Sequence, residues 1–198
     1  VVINRITYNT VTQISEVPFE VKKFPTQTLS EGKTRTLSAG VNGERTTVIK
    51  QTLLDGVVVE EESLSDEVTA QPVAARVLVG DPNPPTSQLI PEDPIELDEN
   101  GNPVEYVSKV TGRATAYSSL GRPTSLVPGN VAMDLSQFPK GTRLYIKTPD
   151  GSFTYGYSVV KDTGTAVTTG HCLVDLFFSS YKESCLFGSR TVEVYVLP

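Results

Sequence analysis

The dipeptide Asp55-Gly56 limits what this chain can fold into more than any other feature. It separates Thr46-Thr47-Val48-Ile49-Lys50-Gln51-Thr52-Leu53-Leu54 from Val57-Val58-Val59-Glu60-Glu61-Glu62. Both flanks are rich in β-branched residues. A two-residue Asp-Gly connection suits the tight turn whose twist matches paired antiparallel strands. The pattern recurs. Arg5 to Thr12 is a further strand candidate, and Arg143 to Lys147 and Tyr155 to Val160 flank Pro149-Asp150-Gly151. Helical spacing of apolar residues is found only around Asp175 to Phe187. The chain therefore reads as all-β. No stretch is long and apolar enough for a membrane-spanning helix. The chain opens at Val1 without a signal-peptide pattern, as a trimmed chain would.

Charge divides the 198 residues into three parts. Residues 81–104 hold Asp81, Glu92, Asp93, Glu96, Asp98 and Glu99 and no Lys or Arg, which equals the net charge of −6 of the whole chain. Six prolines in the same segment break regular structure and stiffen the path, so it reads as an acidic linker. Residues 1–80 carry eight basic and ten acidic residues, and residues 105–198 carry nine and seven. The acidic balance is thus a property of the linker. The slightly basic C-terminal part suits an anionic polymer, and its excess is too small to suggest nucleic acid.

Three aspartates stand beside apolar strand-forming residues. Asp134 follows Val131-Ala132-Met133, Asp162 follows Val159-Val160-Lys161, and Asp175 sits inside Leu173-Val174-Asp175-Leu176-Phe177-Phe178. A carboxylate there costs free energy unless it is hydrogen-bonded or functional. Converging carboxylates would raise one another's proton affinity, which makes a general acid out of Asp. Each also has a plain structural reading: Asp162-Thr163-Gly164 as a turn, Asp134 with Ser136 as a local cap. Asp175 has no turn residue beside it. Cys172 and Cys185 flank it. Two Cys and His171 without CxxC spacing are a poor ligand set, so neither a metal nor a cofactor is expected. His171 reads as a loop residue. Spacing alone leaves open whether the thiols are bonded or reduced.

The blocks Ala114-Thr115-Ala116-Tyr117, Val131-Ala132-Met133-Asp134, Pro139 to Ile146, Lys161-Asp162-Thr163-Gly164, Val174 to Phe178 and Phe187 to Leu197 occur in that order. Together they resemble the 3D (three-aspartate) domain, related to the lytic transglycosylase A and stationary-phase survival (Sps, resuscitation-promoting-factor-like) group. The resemblance implies a small double-psi β-barrel over residues 105–198 that cleaves peptidoglycan glycan strands. In residues 1–80, Glu16-Val17-Pro18-Phe19-Glu20 and glycines at 32, 40, 43, 56 and 80 resemble the five-glycine (G-five) domain. That implies an elongated β module associated with adhesion or glycan binding, a plain spacer being the alternative.

Carried over residue by residue, the resemblance makes Asp175 the catalytic acid, Asp162 its partner and Asp134 a supporting third. Tyr117, Lys161, Thr163 and Gly164 become candidate sugar-binding residues. The implied setting is extracellular, at the cell wall of Gram-positive bacteria, and it favours a Cys172–Cys185 disulfide. The implied reaction is that of a lyase: cleavage between N-acetylmuramic acid and N-acetylglucosamine with 1,6-anhydro ends. A non-catalytic glycan-binding or adhesion protein and an expansin-like wall-loosening protein are the rival readings. The loop from Asp162 to Asp175 is longer than in many relatives and lacks their second Gly after Asp-Thr-Gly, so the groove is expected to have its own shape.

Overall fold

The computed structural model describes residues 4–198. Twelve strands are defined: β1 (Ile6–Val17), β2 (Val21–Thr26), β3 (Thr34–Ser38), β4 (Gly43–Leu54), β5 (Val57–Ala70), β6 (Ala75–Gly80), β7 (Ser108–Tyr117), β8 (Asn130–Ala132), β9 (Arg143–Lys147), β10 (Thr154–Asp162), β11 (Val174–Phe177) and β12 (Arg190–Val196). Two short helices are defined as well: α1 (Thr165–Thr168) and α2 (Tyr181–Phe187). The chain is mostly β, as its residues imply.

The N-terminal strands form two sheets, an antiparallel β1-β4-β5 and a three-stranded β2-β6-β3. The Asp-Gly turn is where it was expected: Asp55 and Gly56 both have positive φ, 52° and 85°, and Leu54 pairs with Val57. Asp55 also accepts a hydrogen bond from the Arg5 amide at 2.9 Å, which ties the turn to the start of β1. Gly43 serves differently. A Cβ there would lie 2.4 Å from the Ala70 carbonyl oxygen, so only glycine allows that approach. The long sheet leaves Ile6, Tyr8, Ile14 and Val57 exposed.

The C-terminal strands close into a barrel in the order β10-β8-β11-β7-β12-β9. Two pairs are parallel, β10 with β8 and β11 with β7; the others are antiparallel. The barrel interior holds Val131, Met133, Leu144, Ile146, Val160, Val174, Leu176, Val192 and Val194, all at 1% exposure or less. A closed barrel has no free edges, which protects such short strands from pairing with other chains. Burial of each large aliphatic chain contributes roughly 1.5–3 kcal/mol.

The helical spacing expected over Asp175 to Phe187 is realised only from Tyr181. Val174–Phe177 is a strand because β7 and β8 flank it and satisfy its backbone on both sides. Helix α2 starts at a full capping box: the Ser180 hydroxyl accepts from the Glu183 amide, and Glu183 accepts from the Ser180 amide.

The proline-rich segment is hydrogen-bonded to the barrel in two places. The Thr86 and Ser87 amides donate to the carbonyls of Thr154 and Tyr155, and the Ser87 hydroxyl donates to the Tyr157 carbonyl. Further on, the buried Lys147 ammonium donates to the Asn100 carbonyl at 2.6 Å and to Asn102 Oδ1 at 2.8 Å. Asp98 shapes that second place by accepting from the amides of Asn100 and Asn102.

Candidate functional site

Strand register builds the site. On β8, Ala132 is paired with Asp162 of β10 on one side and Asp175 of β11 on the other. Residues opposite one another in a sheet project to the same face, so both carboxylates rise above the same small side chain. Their backbones are about 9–10 Å apart, two strand spacings. Ala132 leaves room between them. The β10–β8 register slips between Val160 and Asp162, an irregularity of the kind that re-aims a side chain. Beyond Asp175, β7 places Thr115 directly opposite it.

The resulting cavity, about 200 Å³, is lined by Tyr117, Ala132, Asp162, Thr163, Gly164, Ala166, Val167 and Asp175. The Tyr117 hydroxyl donates to Asp162 Oδ2 at 3.1 Å, and the Thr163 amide donates to Asp162 Oδ1 at 2.9 Å. The Tyr117 ring packs edge-on against Phe177, centroids 5.3 Å apart, which fixes its direction. Thr115 donates to Asp175 Oδ1 at 2.8 Å. Burial pushes the Asp175 carboxyl above the usual carboxylate range; the Thr115 bond opposes this and the Asp162 charge adds to it. Burial and the Asp162 charge also hold Tyr117 protonated.

The structure brings five of the expected residues together: Asp175, Asp162, Tyr117, Thr163 and Gly164. Two others lie outside the cavity. Asp134 caps the turn after β8. Its Oδ1 accepts from the Ser136 amide and hydroxyl and its Oδ2 from Gln137, and these bonds hold its carboxyl below the ordinary range. Lys161 is exposed on β10, one residue before Asp162, at the register slip, and is not among the residues that line the cavity.

The disulfide expected between Cys172 and Cys185 is absent: both thiols are free. Cys172 is buried and its sulfur lies 3.3 Å from the Thr115 hydroxyl, whereas Cys185 is exposed on α2. The helix turns Cys185 to its outer side while Cys172 faces inward beside β7, and that separates them.

Sequence reasoning missed two contributions. Thr115 stood inside a recognised block, but only the β7–β11 pairing shows that it touches Asp175. Part of the Asp162–Asp175 loop folds as α1, and its Ala166 and Val167 line the cavity.

Two family models match the chain, a G5 domain over residues 8–81 and a 3D domain over residues 129–198. The chain thus carries a G5 domain followed by a 3D domain. 3D domains are linked to peptidoglycan-active proteins, and G5 domains to cell-wall binding. Among solved structures, the HP0197-G5 crystal structure is 21% identical with a TM-score of 0.35; the match covers 38% of this chain and 99% of that one. The IgA1 protease G5 domain is 19% identical with a TM-score of 0.29, covering 39% and 92%. No curated protein matches the chain. Among the described residues, no helix is long and apolar enough to cross a membrane.

Proposed function

We propose that the chain is a secreted cell-wall enzyme that cleaves peptidoglycan glycan strands as a lytic transglycosylase, with Asp175 as its general acid. The observation that carries this reading is the pair of carboxylates on either side of Ala132, one of them half-buried so that its proton affinity is raised. An acid catalyst needs its proton near working pH.

In this mechanism Asp175 gives its proton to the glycosidic oxygen as the bond from that oxygen to C1 of N-acetylmuramic acid breaks. Positive charge develops at C1. Asp162, held by Tyr117 and the Thr163 amide, supplies negative charge nearby. The Asp175 carboxylate then takes the proton of the muramoyl 6-hydroxyl while O6 bonds to C1. The ring closes as a 1,6-anhydro end and Asp175 is protonated again. Water takes no part, so a second proton-transferring carboxylate is not required. Thr163 and Gly164 form the rim against which a sugar would lie. The G5 domain would hold the enzyme on the wall.

The test is mass spectrometry of peptidoglycan digested with the protein. New 1,6-anhydro muropeptides support the proposal. New reducing ends would make the protein a hydrolase, and binding without new ends would make it a wall-binding or wall-loosening protein.

A further inference from the structure

One hydroxyl serves two acceptors beside the candidate acid. Thr115 Oγ1 lies 2.8 Å from Asp175 Oδ1 and 3.3 Å from Cys172 Sγ, the longer separation being normal for sulfur. A threonine hydroxyl has a single proton, so it can serve only one of the two at a time. Cys172 is 4% exposed. Solvent is therefore poorly placed to substitute for Thr115 at the sulfur. The positions are fixed by the β7–β11 register and by the backbone: the Leu173 amide donates to the Arg113 carbonyl at 2.8 Å.

We propose that Thr115 and Cys172 form a two-position hydrogen-bond switch for Asp175. The Thr115 hydroxyl turns to the Cys172 sulfur while Asp175 carries its proton, and turns to the Asp175 carboxylate once that proton has left. In the first position the acid is not drawn toward ionisation. In the second, the carboxylate left after proton transfer gains a charge-assisted bond. Both residues are positioning residues, and the inference rests on reading Asp175 as the acid.

The other groups that face Asp175 are Asp162 and Tyr155 of β10 and Tyr117 of β7; Arg113 of β7 acts on Cys172. Burial keeps both tyrosines protonated through the working range. Burial, opposed by the Thr115 bond, pushes the Cys172 thiol up, so a neutral sulfur faces Thr115. This leaves Asp162 as the facing group of like charge, and its contribution is common to every variant below.

The test is an NMR titration of the full chain labelled with carboxyl-13C aspartate. Thr115→Val removes the donor to the carboxylate, and the Asp175 midpoint should rise by about one pH unit. Cys172→Ala removes the alternative acceptor, and the midpoint should fall by a smaller amount. Thr115→Ser should restore the original value. An unchanged midpoint in Thr115→Val, or an unchanged or raised midpoint in Cys172→Ala, would overturn the switch. If Thr115→Val does not fold, Thr115→Ser and Cys172→Ala decide the matter alone. The titration needs no substrate. Midpoints that move as stated alongside unaltered glycan cleavage by Asp175→Asn would leave the switch standing and sink the acid assignment.

Discussion

At the scale of single residues, three aspartates with similar neighbours in sequence end in unlike settings, and the differences are measurable. Asp175→Asn keeps the side chain's shape and removes its proton. Glycan cleavage should drop by at least about a hundredfold, with substrate binding little changed. Activity of the unaltered protein should fall on the alkaline side as Asp175 loses its proton. The same substitution should raise the melting temperature at neutral pH. Burial raises the Asp175 proton affinity in the folded state, so between the unfolded and folded midpoints the folded chain binds the extra proton. Stability then declines as pH rises through that window, and Asn lacks the buried charge that causes it. A lower melting temperature for Asp175→Asn at neutral pH would contradict this. Asp134 has the opposite sign. Its bonds to Ser136 and Gln137 hold its carboxyl low, so its contribution is present at neutral pH and is lost in acid as pH falls through the folded value. Asp134→Asn should lower the melting temperature at neutral pH and leave turnover unchanged, as calorimetry and an activity assay would show.

At the scale of elements, the site depends on irregularities in β10. Its register against β9 slips between Thr154 and Gly156, and its register against β8 slips between Val160 and Asp162. Gly156 has φ of 91°, and a Cβ there would meet Pro85 at 2.5 Å. Gly156→Ala should therefore destabilise the barrel by roughly 1–3 kcal/mol, by backbone strain and by that clash, in a denaturant melt. A change within experimental error would show that the slip absorbs a methyl group. The hairpins at Asp55-Gly56 and Pro149-Asp150-Gly151 were legible in the sequence because turn geometry is set by adjacent residues. Asp150, for instance, accepts from the Ser152 amide and hydroxyl, and these bonds with that of Thr148 bring its carboxyl down to about 2. The slips in β10 were not legible, since they arise only when the strand meets its two neighbours.

At the scale of the whole molecule, the barrel is larger than the 3D match. β7 ends at Tyr117, ahead of residue 129, yet it pairs with β11 on one side and β12 on the other. A fragment of residues 129–198 should not fold cooperatively, and one that begins before Pro84 should, by circular dichroism and thermal melting. The acidic, proline-rich composition of residues 81–104 marks an exposed path, but the hydrogen bonds that Thr86 and Ser87 donate to β10 and that Asn100 and Asn102 accept from Lys147 hold much of it to the barrel. Limited proteolysis should therefore leave residues 84–104 attached to the barrel fragment. Lys147→Met removes the buried ammonium that holds Asn100 and Asn102, and leaves their oxygens without that donor. It should cost roughly 1–3 kcal/mol and open the segment to cleavage. Equal resistance in both proteins would show that Tyr195, whose hydroxyl donates to Asn102, suffices.

By itself the sequence determined the fold class and the tight turns, gave the order of the two domains through its resemblance to known families, and offered three aspartates for the site. Fold class and turns follow from local pattern, alternation and Asp-Gly turns, and the three aspartates stood out as charge where apolar residues belong. Tertiary structure alone decided that Asp134 caps a turn while Asp162 and Asp175 flank Ala132. It also decided that Cys172 faces Thr115 instead of Cys185. The physical reason is that strand register is a long-range choice. The barrel closes only when six strands bury their apolar faces together, and that closure selects which distant residues stand side by side.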